Sequence, residues 1–520
     1  MNCEKILRLM TLSAVIAMAS TTPAWSQTSK MSAHTEQRIH RIEANVASIP
    51  VGQGQPPRQF DLQTLMQTLH IPGLSVAVID NFQIVWAKGY GVTEPGSHTP
   101  VTARTLFQAA SISKTVTAVG TLRLVEQGKL SLDEDVNKKL TSWKVPENEF
   151  TKDQKVTLRR IMSHSGGLTV HGFAGYATDA PVPTLVQILN GEKPANSAPI
   201  RVDIVPGTVS RYSGGGVTIE QQLLIDVTGK PFPQVMRETV LDKIGMTDST
   251  FDQPLPAPKA PQAASATHGD GTVVPGKWHV YPEMAAAGLW TTPTDLAKFG
   301  IEIARSKHGK SNRILSEKTV REMLTPQIEH VGLAFFLDEH NPDQFGHTGG
   351  NEGFQSILLV LGDSGQGVAI MGNSDNLFRM EDYLVEAIAK EYAWKYIPPK
   401  HFGGNVLLIV SNTKGAQAAI QTYSELKKTS PSDYAFDEGD LNQFGYDLLQ
   451  ANKSSEALEA FKLNVEEYPK SWNAYDSLGE AYMGAGQTDL AIQNYEKSLE
   501  LNPKNKGGAA MLEKLKNQKK

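Results

Sequence analysis

The chain has 520 residues, which is too long for one ordinary domain and predicts two or three. Its 50 Lys and Arg residues against 55 Asp and Glu residues give a formal net charge of −5. This mild excess indicates neither nucleic-acid binding nor strong attraction to a membrane surface. The single cysteine, Cys3, lies in the N-terminal segment, so the rest of the chain has no thiol for catalysis, disulfides or metal binding.

Residues 1–26 have the pattern of a secretory signal peptide. Lys5 and Arg8 form the basic start, residues 9–19 are apolar, and residues 24–26 form a small-x-small cleavage site. No later run reaches the roughly 18 apolar residues that a membrane-spanning helix requires. The sequence therefore predicts an exported, periplasmic or secreted protein without a membrane span.

The first strands are predicted after a polar leader at residues 27–58, which contains a short amphipathic stretch at 36–46. Residues 73–79 and 83–88 are apolar runs rich in β-branched side chains, and the Asp-Asn pair between them is a turn signal. This pattern predicts a β-hairpin.

The pair Ser111-x-x-Lys114 stands where a polar loop gives way to a helix predicted over residues 115–127. Residues three apart lie on one helix face, with Cβ atoms about 5–6 Å apart. The amine can therefore reach the hydroxyl and take its proton, which a serine nucleophile requires at neutral pH. A helix N-cap is the alternative interpretation of Ser111. The same spacing recurs at Ser411 and Ser424, without companion motifs.

Two later segments place polar side chains beside glycines. They are Tyr212-Ser213-Gly214-Gly215-Gly216 and His347-Thr348-Gly349-Gly350. A second hairpin is predicted by residues 355–361 and 368–371, and a helix by residues 380–396. Strands at both ends of this region, with helices between them, indicate an α/β (α+β) fold: one antiparallel sheet covered by helices and interrupted by a mainly helical insertion. We place this domain at residues 59–398.

A linker at residues 399–413 is predicted to lead into a repetitive region at 414–520. Alanine, an aromatic residue four positions later and a proline eight after that recur as Ala419/Tyr423/Pro431, Ala457/Phe461/Pro469 and Ala491/Tyr495/Pro503. The last two sets are 34 residues apart, and this all-α region resembles tetratricopeptide repeats. Because so few repeats are marginally stable alone, we expect them to dock onto the preceding domain. Their concave surface predicts a protein or peptide partner.

The order of Ser-x-x-Lys, then Tyr-Ser, then a basic residue with Thr-Gly is that of serine β-lactamases and penicillin-binding proteins. With landmark segments at 161–168 and 287–299, residues 59–396 resemble the class C β-lactamase-related serine hydrolases. That group includes DD-peptidases, D-aminopeptidases and esterases, and the resemblance implies the same β-lactamase/DD-peptidase-like architecture. The other histidines show no metal-ligand spacing, so neither a metal nor a cofactor is expected.

The resemblance also implies roles for individual residues in hydrolysis of a small-molecule or peptide substrate. Ser111 would be the acylated nucleophile and Lys114 its base, while Tyr212 would protonate the leaving group and activate the deacylating water. The backbone N–H groups of Ser111 and Gly350 would stabilise the oxyanion. The further positions expected to contact the substrate are Thr348, Gly349 and Gly214.

Two positions depart from β-lactamase usage. His347 replaces a catalytic-site lysine, and because histidine titrates near pH 6.5 it would hold a β-lactam carboxylate less strongly and assist Tyr212 less. Gly214 replaces an asparagine whose amide would hold the acyl-amide group. The sequence therefore favours D-amino-acid peptides, amides or esters over strong β-lactamase activity. A carboxylesterase acting on small esters and a weak-turnover penicillin-binding sensor remain open alternatives.

Overall fold

The computed structural model of the chain describes residues 32–50 and 56–518. The predicted signal peptide at 1–26 lies outside the described residues. Within the described part of the chain, no helix is long and apolar enough to cross a membrane.

Six strands form one antiparallel sheet in the order β4-β3-β12-β11-β10-β9. All strands, in chain order, are β1 Ala47–Ile49, β2 Arg58–Phe60, β3 Gly73–Asp80, β4 Gln83–Gly91, β5 Phe107–Gln108, β6 Tyr176–Ala177, β7 His279–Val280, β8 Trp290–Thr291, β9 Phe336–Leu337, β10 Gln344–Asn351, β11 Phe354–Leu361, β12 Gln366–Gly372, β13 His401–Phe402 and β14 Tyr434–Ala435. The hairpins β3–β4 and β11–β12 confirm the two that the sequence predicts. Strand β12 pairs with β3, which joins the two ends of the domain into one sheet.

Helices cover this sheet and form the insertion between its first and last strands. They are α1 Ala33–Ala44, α2 Leu62–Thr68, α3 Ile112–Glu126, α4 Leu158–Met162, α5 Leu185–Asn190, α6 Gly214–Thr228, α7 Phe232–Met236, α8 Asp242–Ile244, α9 Met284–Ala287, α10 Pro293–Lys307, α11 Glu317–Met323 and α12 Glu381–Glu391. Helices α3 to α11 lie between β4 and β9 in the chain. The predicted sheet with a helical insertion is therefore confirmed.

Both faces of the sheet are buried, because successive side chains of a strand point to opposite faces. In β3, Ala77 and Ile79 pack with side chains of α10. Val76 and Val78 belong to a second core that also contains α1, α2 and α12. This burial on both sides explains why β3 is apolar at almost every position instead of alternating.

The segment predicted as a linker differs from that expectation. Residues 403–414 form helix α13, whose Val406, Leu407, Ile409 and Val410 are buried. The apolar run explains the difference, since a solvated linker would leave it in water. Helix α13 packs on α14, and the Asn412 side chain donates to the Thr68 carbonyl oxygen at 2.8 Å.

The C-terminal helices stack as an array that docks on the preceding domain. They are α13 Gly403–Lys414, α14 Ala416–Thr429, α15 Glu438–Gln450, α16 Ser454–Glu467, α17 Trp472–Gly484, α18 Thr488–Leu501 and α19 Lys506–Gln518. The His401 ring stacks on Tyr383 of α12 at 4.1 Å, and one apolar core runs from the sheet into these helices. The docking therefore uses the face of the sheet that carries α1, α2 and α12.

Candidate active site

Ser111 stands at the N-cap position of α3, but its side chain does not cap the helix. Instead, Lys114 Nζ donates to Ser111 Oγ at 2.9 Å. The preceding residue, Ala110, has φ +48°, a left-handed conformation that is uncommon for residues other than glycine. This backbone turn presents the hydroxyl at the start of α3, in the geometry that a serine–lysine pair requires.

Helix α9 holds Lys114 in place. Lys114 is 3% exposed, and its Nζ also donates to the Ala286 carbonyl oxygen at 2.7 Å. Ser113 Oγ accepts from the Leu289 N–H at 3.0 Å, which ties the start of α3 to the same segment. The landmark segment at 287–299 therefore begins directly after Ala286, whose carbonyl oxygen accepts the hydrogen bond from Lys114.

Strand β10 lies against the loop that carries Ser111. A Cβ added at Gly349 would lie 2.2 Å from the Ala109 carbonyl oxygen and 3.0 Å from Ser111 N. Ser356 Oγ on β11 donates to the same Ala109 oxygen at 2.8 Å. Only glycine permits this approach, and the next residue of β10, Gly350, lines the same cavity as Ser111.

Substituting Gly349 by Ala should therefore displace β10 from the nucleophile loop. Because loss of one oxyanion donor costs about 10²–10³-fold in kcat, we expect a loss of that order. In Gly350→Ala the added Cβ meets only the Phe378 ring, at 3.8 Å, and the N–H remains, so its loss should be at least tenfold smaller. Acylation rates of both proteins, with folding verified by circular dichroism, test this; equal losses would contradict the close-approach argument.

Tyr212 is enclosed by the rings of two histidines that sequence reasoning did not connect with it. Its ring centroid lies 4.2 Å from that of His164 and 4.8 Å from that of His171. Lys114 Nζ is 5.0 Å from the centre of the Tyr212 ring. Burial, and then the charge of Lys114, hold the pKa of His164 well below its usual value, while its Nδ1 accepts from the Ser213 N–H at 3.3 Å. His164 therefore supports the tyrosine as a neutral ring.

The glycine run after Tyr212 admits a loop into the space that an asparagine side chain would occupy. Gly214 N–H donates to the His171 carbonyl oxygen at 2.9 Å, and a Cβ added at Gly214 would lie 3.0 Å from that oxygen. The loop bends at Val170, which has φ +65°. Gly214 lies behind this loop and does not line the cavity described below, unlike the sequence expectation for it.

His347 is buried, with 4% of its surface exposed. Its Nδ1 donates to the Thr348 carbonyl oxygen, while Nε2 is buried with no hydrogen-bond partner among the described residues. Burial and the nearby Lys114 charge lower the pKa of His347 to about 3. The imidazole is therefore neutral at physiological pH, which is a stronger departure from lysine than the sequence suggests.

Acid should destabilise the fold through this group. Between its folded pKa of about 3 and the ordinary value of 6.5, the unfolded chain binds more protons. The stabilisation is complete above pH 6.5 and is lost as the pH falls, by about 2 kcal/mol at pH 5. The thermal midpoint of the wild type should drop more between pH 7.5 and pH 5 than that of His347→Gln. Substitution of the exposed His98 by Gln is the control; an equal drop in all three proteins would contradict this assignment.

These side chains surround a cavity of about 420 Å³. It is lined by Ser111, Lys114, His171, Gly172, Phe173, Tyr212, Ala286, Ala287, Phe336, His347, Thr348, Gly350 and Asn351. The structure thus brings together Ser111, Lys114, Tyr212, His347, Thr348 and Gly350, as the motif order predicts. Gly349, which was also expected to contact the substrate, does not line the cavity. Sequence reasoning missed Asn351, although β-strand alternation places it on the same face as His347 and Gly349. It also missed the aromatic walls, Phe173 and Phe336.

The arrangement places a serine hydroxyl 2.9 Å from a lysine amine and a phenol ring whose centre lies 5.0 Å from that amine. Such a set can form and hydrolyse an acyl-enzyme without a metal. In residues 32–50 and 56–518, no cluster of three or more His, Cys, Asp or Glu side chains could hold a metal ion.

Comparison with known proteins agrees with this geometry. A family model described as β-lactamase matches residues 61–392, and one described as tetratricopeptide repeat matches residues 472–505. An unguisins hydrolase from Aspergillus campestris is 28% identical over 350 residues, which cover 62% of this chain and 62% of that protein. The chain thus spans less than two thirds of that relative's length.

Solved structures share the fold. The octameric penicillin-binding protein homologue from Pyrococcus abyssi superposes with a TM-score of 0.53 at 22% identity, over 64% of this chain and 75% of the other. The D-amino acid amidase from Ochrobactrum anthropi, complexed with L-phenylalanine, gives a TM-score of 0.50 at 21% identity, over 63% of this chain and 97% of the other. Because both sequence identities are below 25%, these similarities show a shared fold.

Proposed function

The chain belongs to the β-lactamase family of serine hydrolases and has a C-terminal tetratricopeptide repeat, and on that premise we propose that it cleaves amide or ester bonds through an acyl-enzyme on Ser111. The observation that carries the proposal is the 2.9 Å contact from Lys114 Nζ to Ser111 Oγ at the base of the cavity. A serine that only capped α3 would direct its oxygen to backbone N–H groups instead.

In this mechanism Lys114 accepts the Ser111 proton as Oγ attacks the substrate carbonyl carbon. The N–H groups of Ser111 and Gly350 stabilise the oxyanion of the tetrahedral intermediate. Tyr212 donates a proton to the departing nitrogen or oxygen when the scissile bond breaks. The Tyr212 phenolate then takes a proton from water, and the resulting hydroxide attacks the acyl carbon. The acyl–Oγ bond breaks, and Lys114 returns its proton to Ser111 Oγ.

The substrates proposed are D-amino-acid peptides, amides or esters. We expect only weak turnover of β-lactams, because the neutral His347 provides no cation that could bind their carboxylate. The names of the fungal hydrolase and the D-amino acid amidase are compatible with amide chemistry. With the signal-peptide pattern at 1–26, we place this activity in the periplasm or outside the cell.

The alternatives are a carboxylesterase acting on small esters and a penicillin-binding sensor that acylates and hardly releases. The second is favoured by the same His347, since an uncharged ring assists Tyr212 less during deacylation. The docked repeats would then bind a protein or peptide that responds to acylation.

The test is intact-mass analysis after incubation with a penicillin, a D-alanyl amide and a short-chain ester, followed by peptide mapping. We expect one adduct, on the peptide that contains Ser111. Comparing the burst amplitude with the steady-state rate separates a catalyst from a sensor. An adduct on another residue, or none with any probe, would refute the proposal.

A further inference from the structure

The cavity has an unusual charge composition for a site that acts on peptides. None of its lining residues is acidic, and its only lysine or arginine is Lys114. Lys114 Nζ is already bonded to Ser111 Oγ and the Ala286 oxygen. The cavity therefore offers a substrate neither a carboxylate for an amine nor an uncommitted cation for a carboxylate.

Two charged residues next to lining residues in the sequence, Arg211 and Glu352, do not line the cavity. Arg211, next to Tyr212, bonds to Asp203 and to the Gly167 carbonyl oxygen, the latter at 2.8 Å. Glu352, next to Asn351, lies 3.2 Å from His279 Nδ1. A second histidine, His268, lies 3.8 Å from the other oxygen of Glu352. Both side chains thus have polar partners among residues that do not line the cavity.

Two histidines are among the other polar residues of the lining. His171 packs against the Tyr212 ring with centroids 4.8 Å apart, and His347 stands where a cation would be expected. Its Nδ1 proton is committed to Thr348, and the buried Nε2 can only accept a hydrogen bond. Beyond His347, Thr348 and Phe336, the cavity adjoins another of about 300 Å³ that is lined largely by apolar side chains. Its one acid, Asp338, accepts from the Asn341 backbone N–H at 2.7 Å. A terminal carboxylate placed there would lose hydration without gaining a charged partner.

We propose that this site selects substrates that are uncharged on both sides of the scissile bond: N-acylated amino-acid esters, N-acylated amides and internal peptide bonds. Free peptide termini are disfavoured on each side. This selectivity rests on the proposed acyl-enzyme function of Ser111, and it separates this chain from a carboxypeptidase and from an aminopeptidase.

The test uses four matched D-alanyl-D-phenylalanine compounds that combine a free or acetylated N-terminus with a free or amidated C-terminus. At pH 7 a terminal carboxyl is ionised and a terminal amine is mostly protonated. We expect kcat/KM for the doubly blocked compound to exceed that of either singly charged one at least tenfold. Glu352→Gln is the matched control and should leave this ratio unchanged within twofold, because the carboxylate is engaged outside the cavity.

His347→Lys supplies the complementary change, with folding verified by circular dichroism. A lysine there should shift the ratio at least tenfold towards the free acid. Equal or greater kcat/KM for a charged compound in the wild type, with turnover still dependent on Ser111, would overturn the selectivity and leave the proposed function standing. No turnover of any compound and no labelling of Ser111 would overturn both.

Discussion

Ser111→Ala is expected to abolish the covalent adduct with every acylating probe and to remove almost all turnover. The reason is that, among the described residues, Ser111 supplies the only hydroxyl oxygen that accepts a hydrogen bond from Lys114. Loss of the nucleophile lowers kcat of a serine protease by about 10⁶-fold, and we expect a loss of comparable order here. Intact-mass analysis and steady-state kinetics measure the two effects.

The matched control is Ser424→Ala, which removes a serine with the same spacing to a lysine. Ser424 lies on α14 in the repeat array, and its companion Lys427 is bonded to Glu467 at 2.8 Å. The control should be labelled and turn over substrate like the wild type. Labelling that persists in Ser111→Ala would assign the nucleophile elsewhere.

The serine–lysine pair could be predicted from sequence because helix geometry alone brings positions three apart together. Tyr212 and His347 lie far from that pair in sequence, so only the order of the motifs indicated that they meet. The two hairpins were predictable for a local reason as well, since each joins two apolar runs across a short turn.

The cavity walls could not be predicted in this way. The loop with His171 and Phe173 depends on a positive φ at Val170 and on a packing contact with Gly214, neither of which leaves a periodic pattern. Helix α13 was not predicted for another reason. Pro398 and Pro399 precede this segment and are typical of a domain boundary. In the structure, however, the apolar residues of α13 are buried against neighbouring helices.

The proposed active site and the docked repeats lie on opposite faces of the same sheet. Val116 and Val119 of α3, which follows the nucleophile, lie in the core that contains Ala369 of β12. That residue pairs with Ala77 in β3, whereas the repeats join the core of Val76 and Val78 on the other face. The repeats can therefore bind a partner without contacting the reacting atoms.

Lys114→Met is expected to lower kcat about 10²–10⁴-fold, the usual contribution of a proton-transfer group, with a much smaller change in KM. Methionine keeps most of the buried stem but cannot accept the Ser111 proton. KM should change little because Nζ is committed to Ser111 Oγ and the Ala286 oxygen instead of a substrate subsite. Lys427→Met is the control at the same spacing, and thermal unfolding separates lost packing from lost chemistry. A folded Lys114→Met protein with near-normal kcat would assign the base to another group, and Tyr212, 5.0 Å from Nζ by its ring centre, would be the residue to test next.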